Sequence, residues 1–299
     1  MPNKQKNKLI VILGPTAVGK SNLAVKLAKI FNGEIISADS RQVYKGLDIG
    51  TGKITKKEMQ DVPHHLLDVA SPRRRFSVAQ YKKLTFKAIQ KIYQRKRIPI
   101  LVGGTGFYIQ AVVDNLLLPK VKPDRQLRKK LEKKSTQELY EILKKIDPQR
   151  AKTIDKNNPR RLIRAIEIVK KTKKPIPVLK KEQKFNVLMI GLKKSPNELK
   201  KLIKKRLLKR LKQGMIAEVK KLKKSGLSWQ RLDEFGLEYR YISYFLQNKL
   251  NYEQMINRLQ KEIEHFAKRQ MTWFKKDKRI VWIKNFTETK NLIKNFLKT

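Results

Sequence analysis

The feature that most constrains the fold is a short apolar run that leads directly into a glycine-rich loop. Residues 9–13 have the composition of a buried β-strand, and Gly14 and Gly19 enclose four residues before Lys20 and Ser21. A strand, such a loop and a helix together direct backbone N–H groups at one point, where they bind an anion. Lys20 adds a positive charge, and the Ser21 hydroxyl can bind Mg²⁺. The spacing predicts a phosphate-binding P-loop, for which ATP is the usual ligand.

Further apolar runs with the composition of strands follow along the chain. They cover residues 34–38, 98–102, 187–191 and 280–283, and stretches with helical spacing lie between them, including residues 77–95. Alternating strands and helices are typical of a parallel sheet between two helical layers. The sequence therefore predicts an α/β fold with a three-layer P-loop core.

The chain between residues 102 and 187 has a different pattern. It contains no comparable strand, but helical spacing recurs near residues 124–133, 136–146 and 159–171, with prolines at the joins. We expect residues 116–185 to form a mostly helical insertion domain. Residues 1–115 and 186–299 then form the P-loop core, which ends in basic helices, a last strand and a short helix.

The charge of the chain is strongly positive. Lys and Arg number 73 against 25 Asp and Glu, a formal net charge of +48 at pH 7. Residues 193–224 contain 14 Lys and Arg but only Glu198 and Glu218 as acids. Such a chain attracts polyanions, and nucleic acid is the expected partner. A compositional bias of the source genome is the alternative explanation for part of the excess.

The remaining composition excludes several classes of protein. The chain has no cysteine and three histidines, which excludes disulfides and thiolate zinc sites and leaves oxygen ligands for any metal. No apolar run approaches the roughly 18 residues of a membrane span. We expect a soluble, cytoplasmic protein that acts as a monomer and does not bind a membrane.

One acidic side chain stands out near the predicted phosphate site. The strand at residues 98–102 continues into Gly103, Gly104 and Thr105 without a carboxylate, whereas Asp39 directly follows the strand at residues 34–38. Ligands bind at the carboxyl ends of parallel strands, so we expect Asp39 and Thr105 to face the P-loop. The alternatives are an N-cap or turn role for Asp39 and a simple turn after two glycines for Thr105.

A set of motifs gives the chain a specific resemblance. In order, they are "GPTAVGKS", "ISADSRQVYKGLDIGTGK", "VPHHLLDV", "FSVAQY", "PILVGGTGFYIQAV", "NPRRLIRAIE" and "FAKRQMTWFK". The chain resembles the tRNA dimethylallyltransferases over most of its length. This resemblance implies transfer of a dimethylallyl group from dimethylallyl diphosphate to N6 of the adenosine 3′-adjacent to the anticodon, with the tRNA anticodon loop as partner and Mg²⁺ as cofactor.

The resemblance also implies that the helical insertion domain, residues 116–185, contacts tRNA, and it implies roles for individual residues. Thr16, Lys20 and Thr105 lie at the reacting groups, Asp39 is the general base, and Ser21 binds the metal. The residues implied to hold the donor diphosphate are Gly14, Pro15, Thr16, Ala17, Val18, Gly19, Lys20, Ser21 and Arg164. The residues implied to contact tRNA are Asp39, Ser40, Arg41, Gln42, Thr105, Arg160, Arg161, Leu162, Ile163, Arg164 and Arg240.

One segment departs from the commoner family pattern. Many members have Cys-Val-Gly-Tyr-Arg where this chain has "FGLEYR", so that Glu238 replaces a glycine while Tyr239 and Arg240 match. Trp273 and Phe274 could stack on bases, but their helical placement favours a role in the core.

Three other functions remain open at the level of sequence. A P-loop small-molecule kinase would explain the glycine loop and Asp39 but not the charge of +48. An adenylate isopentenyltransferase acting on a free nucleotide would need neither the helical insertion nor the basic helices. A P-loop protein that only binds nucleic acid would not need the Asp39 carboxylate.

Overall fold

The computed structural model describes residues 7–177 and 182–299. The chain divides into two compact units. One unit consists of Met1–Asn115 and Gln183–Thr299, and the other is Leu116–Glu182. The strands and the glycine-rich loop belong to the first unit, and the described part of the second unit contains helices without a strand.

The first unit is built on one parallel sheet of six strands. The strands are β1 (Lys8–Leu13), β2 (Gly33–Ala38), β3 (His64–His65), β4 (Ile98–Gly103), β5 (Asn186–Gly191) and β6 (Ile280–Trp282). Their order is β3-β2-β4-β1-β5-β6, and every neighbouring pair is parallel. This confirms the predicted α/β sheet. The two-residue strand β3 was not predicted, because two histidines carry no periodic signal.

Helices connect the strands in chain order. The first unit begins with α1 (Lys20–Ile30), α2 (Lys56–Met59), α3 (Val78–Gln94) and α4 (Gly106–Val113). The second unit contains α5 (Arg125–Leu131), α6 (Thr136–Ile146), α7 (Pro148–Thr153) and α8 (Pro159–Thr172). The first unit then continues with α9 (Pro196–Lys212), α10 (Met215–Lys224), α11 (Trp229–Phe235), α12 (Leu237–Leu246), α13 (Tyr252–Phe274) and α14 (Phe286–Lys298).

The sheet separates two hydrophobic cores, because successive side chains of a strand point to opposite faces. Leu9, Val11 and Leu13 lie in the larger core with side chains of α3, α4 and α9–α13. Ile10 and Ile12 lie in the smaller core with side chains of α1 and α14. β1 is thus buried on both faces, which explains its continuous apolar sequence.

A capping box marks the start of α3, the helix that the sequence predicts at residues 77–95. The Ser77 hydroxyl accepts the N–H of Gln80, and the Gln80 side chain accepts the N–H of Ser77. This capping box satisfies two of the unpaired N–H groups at the start of α3. The prediction is confirmed to within one residue at each end.

The second unit has its own core of leucine, isoleucine and alanine side chains from α5–α8. The sequence pattern predicts α6 to the residue but does not predict α7, which is only six residues long. Glu167 is fully buried in this unit and accepts hydrogen bonds from the Asp124 N–H and from Arg128, each at 2.7 Å, and from Arg164.

The described part of the chain contains no helix that is both long and apolar enough to cross a membrane.

The Glu167 carboxylate should stabilise the second unit. Burial alone would raise its pKa, but hydrogen bonds from Arg128, the Asp124 N–H and Arg164 lower the pKa from 4.5 to about 2. The stabilisation is therefore present above pH 4.5 and is lost as the pH falls towards 2. We expect Glu167→Gln to lower the free energy of unfolding at pH 7 by about 3 kcal/mol, because it leaves two partly buried guanidinium groups without their counter-ion.

Urea unfolding at pH 7 and pH 3 would measure this loss, which should shrink at the lower pH. Glu132→Gln is the matched control, since Glu132 is exposed in the same unit. Its effect should stay within about 0.5 kcal/mol. Equal effects of the two substitutions would contradict the role of Glu167.

Candidate active site

The loop between β1 and α1 is held in its shape by its first glycine. Gly14 has φ +145, and a Cβ atom at this position would overlap the carbonyl oxygen of Leu192, which follows β5. Both the backbone conformation and the close approach of the neighbouring chain therefore require glycine here. The loop is consequently fixed against the carboxyl end of β5.

The loop presents consecutive N–H groups that have no partner within the described protein. No hydrogen bond joins these five donors to any described residue, and they belong to Ala17, Val18, Gly19, Lys20 and Ser21. Unpaired N–H groups at a helix N-terminus carry partial positive charge and bind anions. This geometry is what the sequence spacing predicts for a phosphate site.

Lys20 adds a cation to the same place. Its Nζ donates to the carbonyl oxygen of Pro15 at 2.5 Å. Burial and the nearby Arg206 lower the pKa of Lys20 to about 7, and the Asp39 carboxylate opposes this shift. An anion bound at the loop would supply the missing negative charge and favour the protonated form.

Arg206, on α9, is a site residue that the sequence analysis did not identify. Its Nη1 donates to Thr16 Oγ1 at 3.1 Å, which places the guanidinium at the glycine loop. Burial and the neighbouring Arg210 lower the pKa of Arg206 to about 10, so the group remains a cation at pH 7. The available signal was an arginine in a helix whose other cations are mostly lysines, because arginine suits planar contacts to phosphate.

Asp39 follows β2 and is half-buried. Its Oδ1 accepts the N–H groups of Arg41 at 2.8 Å and Gln42 at 3.3 Å, as a turn residue would. Its other oxygen accepts no hydrogen bond from the residues in 7–177 and 182–299. The Asp39 charge also raises the pKa values of Lys20 and Arg206. Asp39 is thus both a turn residue and a carboxylate whose charge acts on Lys20 and Arg206.

Thr105 connects the ends of β2 and β4. Its Oγ1 accepts the Ser40 N–H at 3.0 Å, and its own N–H donates to the Ala38 carbonyl at 3.1 Å. The side chain lies at the start of α4 but does not cap that helix. It holds the Asp39 turn beside the glycine loop, as the position of both residues at one sheet edge predicts.

Gln270, on α13, joins two of the loops at this edge. Its Oε1 accepts the Thr16 N–H at 2.9 Å, and its Nε2 donates to the Gly104 carbonyl at 2.9 Å. Gln270 is buried, and it lies on the helix face that also carries Ile263, Ala267 and Phe274. A polar residue within an apolar stripe was the sequence signal for this role.

The rest of the "DSRQ" motif is occupied by contacts within the first unit. The Arg41 guanidinium donates to the backbone carbonyls of Phe235 at 2.8 Å and Glu234 at 3.5 Å. The Gln42 amide accepts from Ser37 and donates to the carbonyls of residues 51 and 52. Their side chains hold neighbouring loops in this structure, and their contact with tRNA stays a prediction.

The "RRLIR" motif lies at the start of α8 in the second unit. Arg160 and Arg161 are exposed, whereas the side chains of Leu162 and Ile163 fill the core of that unit. Arg164 binds Glu167 and donates to the carbonyl of residue 121 at 2.9 Å. Helical periodicity turns the Leu162 and Ile163 side chains inward, and the contact of this segment with tRNA stays a prediction. Contact of Arg164 with the diphosphate stays a prediction.

Arg240, Phe274 and Trp273 have different surroundings. The Arg240 Nε donates to Asp233 at 2.9 Å, so that this guanidinium is paired. Phe274 is 2% exposed and belongs to the core, as its helical placement predicts. Trp273 is 37% exposed and packs edge-to-face on Phe107.

A family model described as IPP transferase matches residues 42–277 of the chain. The chain belongs to this family. The tRNA dimethylallyltransferase of Halothermothrix orenii is 42% identical over 306 residues, which are 97% of this chain and 93% of that protein. The tRNA dimethylallyltransferase of Syntrophomonas wolfei is 39% identical over 296 residues, which are 96% of both chains.

Solved structures agree with membership of the IPP transferase family. The tRNA isopentenylpyrophosphate transferase of Bacillus halodurans has a TM-score of 0.75 at 39% identity, covering 98% of this chain and 97% of that chain. A eukaryotic dimethylallyltransferase acting on tRNA has a TM-score of 0.77 at 31% identity, covering 89% of this chain and 69% of that chain. The expected α/β fold and family are therefore confirmed.

The bridge formed by Gln270 predicts a loss of stability when it is removed. We expect Gln270→Leu to lower the free energy of unfolding by about 1–3 kcal/mol, because the part-buried Thr16 N–H and the buried Gly104 carbonyl lose their partner. Gln260→Leu is the control on the same helix, since Gln260 is half-exposed and bonds only Glu264. Urea unfolding compares the two variants, and equal losses would contradict the bridging role.

Proposed function

We propose that the protein transfers the dimethylallyl group of dimethylallyl diphosphate to N6 of the adenosine 3′-adjacent to the anticodon in tRNA, with release of diphosphate. The names of its relatives support the type of substrate. The observation that carries the chemistry is the position of the half-buried Asp39 carboxylate beside two cations, Lys20 and Arg206, at the glycine loop. The Asp39 carboxylate can accept a proton, while Lys20 and Arg206 bind the diphosphate leaving group.

The glycine loop holds the donor diphosphate. Negative charge grows on the bridging oxygen as the allylic C–O bond breaks, and the unpaired N–H groups of residues 17–21 lie where they can stabilise it. Lys20 and Arg206 add two cations to that stabilisation. Loss of one such donor typically costs about 2.7–4 kcal/mol in the transition state. The loop recognises a diphosphate and is indifferent to the organic group attached to it.

Mg²⁺ fits this site as a cation shared with the substrate. The described residues contain no group of three or more His, Cys, Asp or Glu side chains that could hold a metal by themselves. Ser21 is exposed at the start of α1, and its hydroxyl is the protein ligand that we assign to the ion. Mg²⁺ commonly takes most of its other ligands from phosphate oxygens and water. When bound, it would neutralise charge on the diphosphate.

Asp39 acts on the acceptor. The N6 amine of adenine is a weak nucleophile because its lone pair is delocalised into the ring. As the N–C bond to the allyl carbon forms and the C–O bond to the diphosphate breaks, the Asp39 carboxylate takes the amine proton. General-base catalysis of this kind contributes roughly 10²–10⁴-fold. The hydrogen bonds from the Arg41 and Gln42 N–H groups keep the carboxylate in place.

The RNA is held by basic side chains outside the reacting centre. Six lysines of α9 are exposed, namely Lys200, Lys201, Lys204, Lys205, Lys209 and Lys212. Arg160 and Arg161 are exposed in the second unit. We assign both groups to the sugar-phosphate backbone, which positions the RNA without reading its sequence. The target adenosine must leave its stack to reach Asp39, as is general for enzymes that act on bases.

The role of Asp39 can be tested by removing only its basicity. We expect Asp39→Asn to lower the rate of prenyl transfer by at least about 100-fold while tRNA binding stays near normal, because asparagine keeps the turn's acceptor oxygen but cannot take the proton. The assay is formation of the prenylated nucleoside from unmodified tRNA, dimethylallyl diphosphate and Mg²⁺, detected by mass.

Asp61→Asn is the control, since Asp61 is exposed and lies outside the site. Transfer by Asp39→Asn at the wild-type rate would refute the general-base role. Robust phosphoryl transfer from ATP by the wild type, with no prenylation of tRNA, would favour a kinase instead.

The role of α9 can be tested by the salt dependence of RNA binding. We expect a triple change of Lys201, Lys205 and Lys209 to Gln to weaken tRNA binding and to flatten the slope of log K against log salt. The slope should change by roughly 0.7–0.9 for each phosphate group that the variant no longer neutralises. The control changes Lys290, Lys294 and Lys298, which are exposed on α14, in the same way. Equal slopes for the two triple variants would contradict the assignment.

A further inference from the structure

Arg206 and Arg210 lie one turn apart on α9, and their guanidinium groups both lie next to Gly52. A Cβ atom at Gly52, where φ is +59, would overlap the guanidinium groups of both Arg206 and Arg210. The glycine thus provides the space in which the two side chains lie next to each other. Two like charges in such a place repel unless a counter-ion is present.

Arg210 has a buried counter-ion. Its Nη1 lies 2.8 Å from Glu238 Oε1 and donates to the Gly50 carbonyl at 3.3 Å. The side chains of Arg210 and Glu238 are only 9% and 11% exposed. Arg206 instead donates to Thr16 at the glycine loop. The neighbouring arginines therefore differ in role, since one is paired inside the protein and the other faces the diphosphate site.

The backbone around the two guanidinium groups is itself fixed. The Glu218 carboxylate accepts the N–H groups of Asp48 at 3.0 Å, Ile49 at 2.6 Å and Gly50 at 3.0 Å. It also accepts the hydroxyl of Tyr239, the residue after Glu238, at 2.8 Å. The loop and α12 are thereby joined, so that Glu238 and the Gly50 carbonyl stay at a set distance from α9.

The charges around Arg206 shift its pKa in opposite directions. Burial and Arg210 lower its pKa, whereas Glu238, Asp39 and Glu58 raise it. Glu238 therefore acts on both arginines, directly on Arg210 and through space on Arg206. Its charge offsets the repulsion that Arg210 would otherwise exert.

We propose that Glu238 is a positioning residue. It pairs with Arg210, so that only Arg206 binds the diphosphate, and the released diphosphate is therefore not bound too tightly. The role of diphosphate as leaving group rests on the proposed function. If Glu238 is removed, a bound diphosphate becomes the nearest counter-ion for both Arg206 and Arg210. If Arg210 is removed, the unpaired Glu238 carboxylate attracts Arg206 away from Thr16. If Glu238 and Arg210 are both removed, Arg206 stays at the glycine loop.

Binding of inorganic diphosphate with Mg²⁺, measured by titration calorimetry, tests this arrangement. We expect Glu238→Gln to bind diphosphate about fivefold more tightly and Arg210→Met to bind it about fivefold more weakly, as single charges near a partly buried site would. The double variant should return to within about twofold of the wild type, because the two changes are coupled. Glu238→Asp, which keeps the charge, should also stay within about twofold.

If Glu238 had only a structural role, the diphosphate affinities of the variants would follow a different order. Weaker binding by both single variants, with no recovery in the double variant, would overturn the proposal, as would unchanged binding by Glu238→Gln. Because inorganic diphosphate needs no acceptor, this measurement is independent of prenyl transfer. Absence of transfer by the wild type would refute the proposed function, while the order of the diphosphate affinities would still decide the role of Glu238.

Discussion

The site depends on the central position of β1 in the parallel sheet. β1 pairs with β4 on one side and with β5 on the other, so its carboxyl end lies between two neighbouring strand ends. The glycine loop after β1 is pressed against Leu192 beyond β5, and Thr105 beyond β4 holds the turn that contains Asp39. Strand order thus brings together the phosphate-binding amides, Lys20 and the Asp39 carboxylate.

The scarce acidic side chains have specific positions in a chain of net charge +48. Glu167 binds two arginines, Glu238 binds one, and Glu218 binds three backbone N–H groups. Most lysines, by contrast, are exposed. The protein therefore uses carboxylates to hold arginines and loops in place, and leaves its lysine charge on the surface, where it can attract polyanions.

Much of the fold follows from sequence because its signals are local. Apolar runs predict the five longer strands to within two residues, and helical spacing predicts α3 and α6 to within one residue at each end. Arg206 and Gln270 were missed as site residues because their roles depend on how α9 and α13 pack against the glycine loop. Leu162 and Ile163 entered the predicted tRNA-contacting segment with the whole motif, and the structure adds that their side chains pack in the core of the second unit.

The hydrogen bond from Thr16 to Gln270 also has a consequence for the order of folding. It joins residues separated by 254 positions in the chain. Chains emerge from the ribosome N-terminal end first, and distant contacts form late. The glycine loop is among the first segments to be synthesised, yet it acquires its last fixed contact only after α13 has been made and packed. A nascent chain therefore cannot complete its diphosphate site before its C-terminal helices are in place.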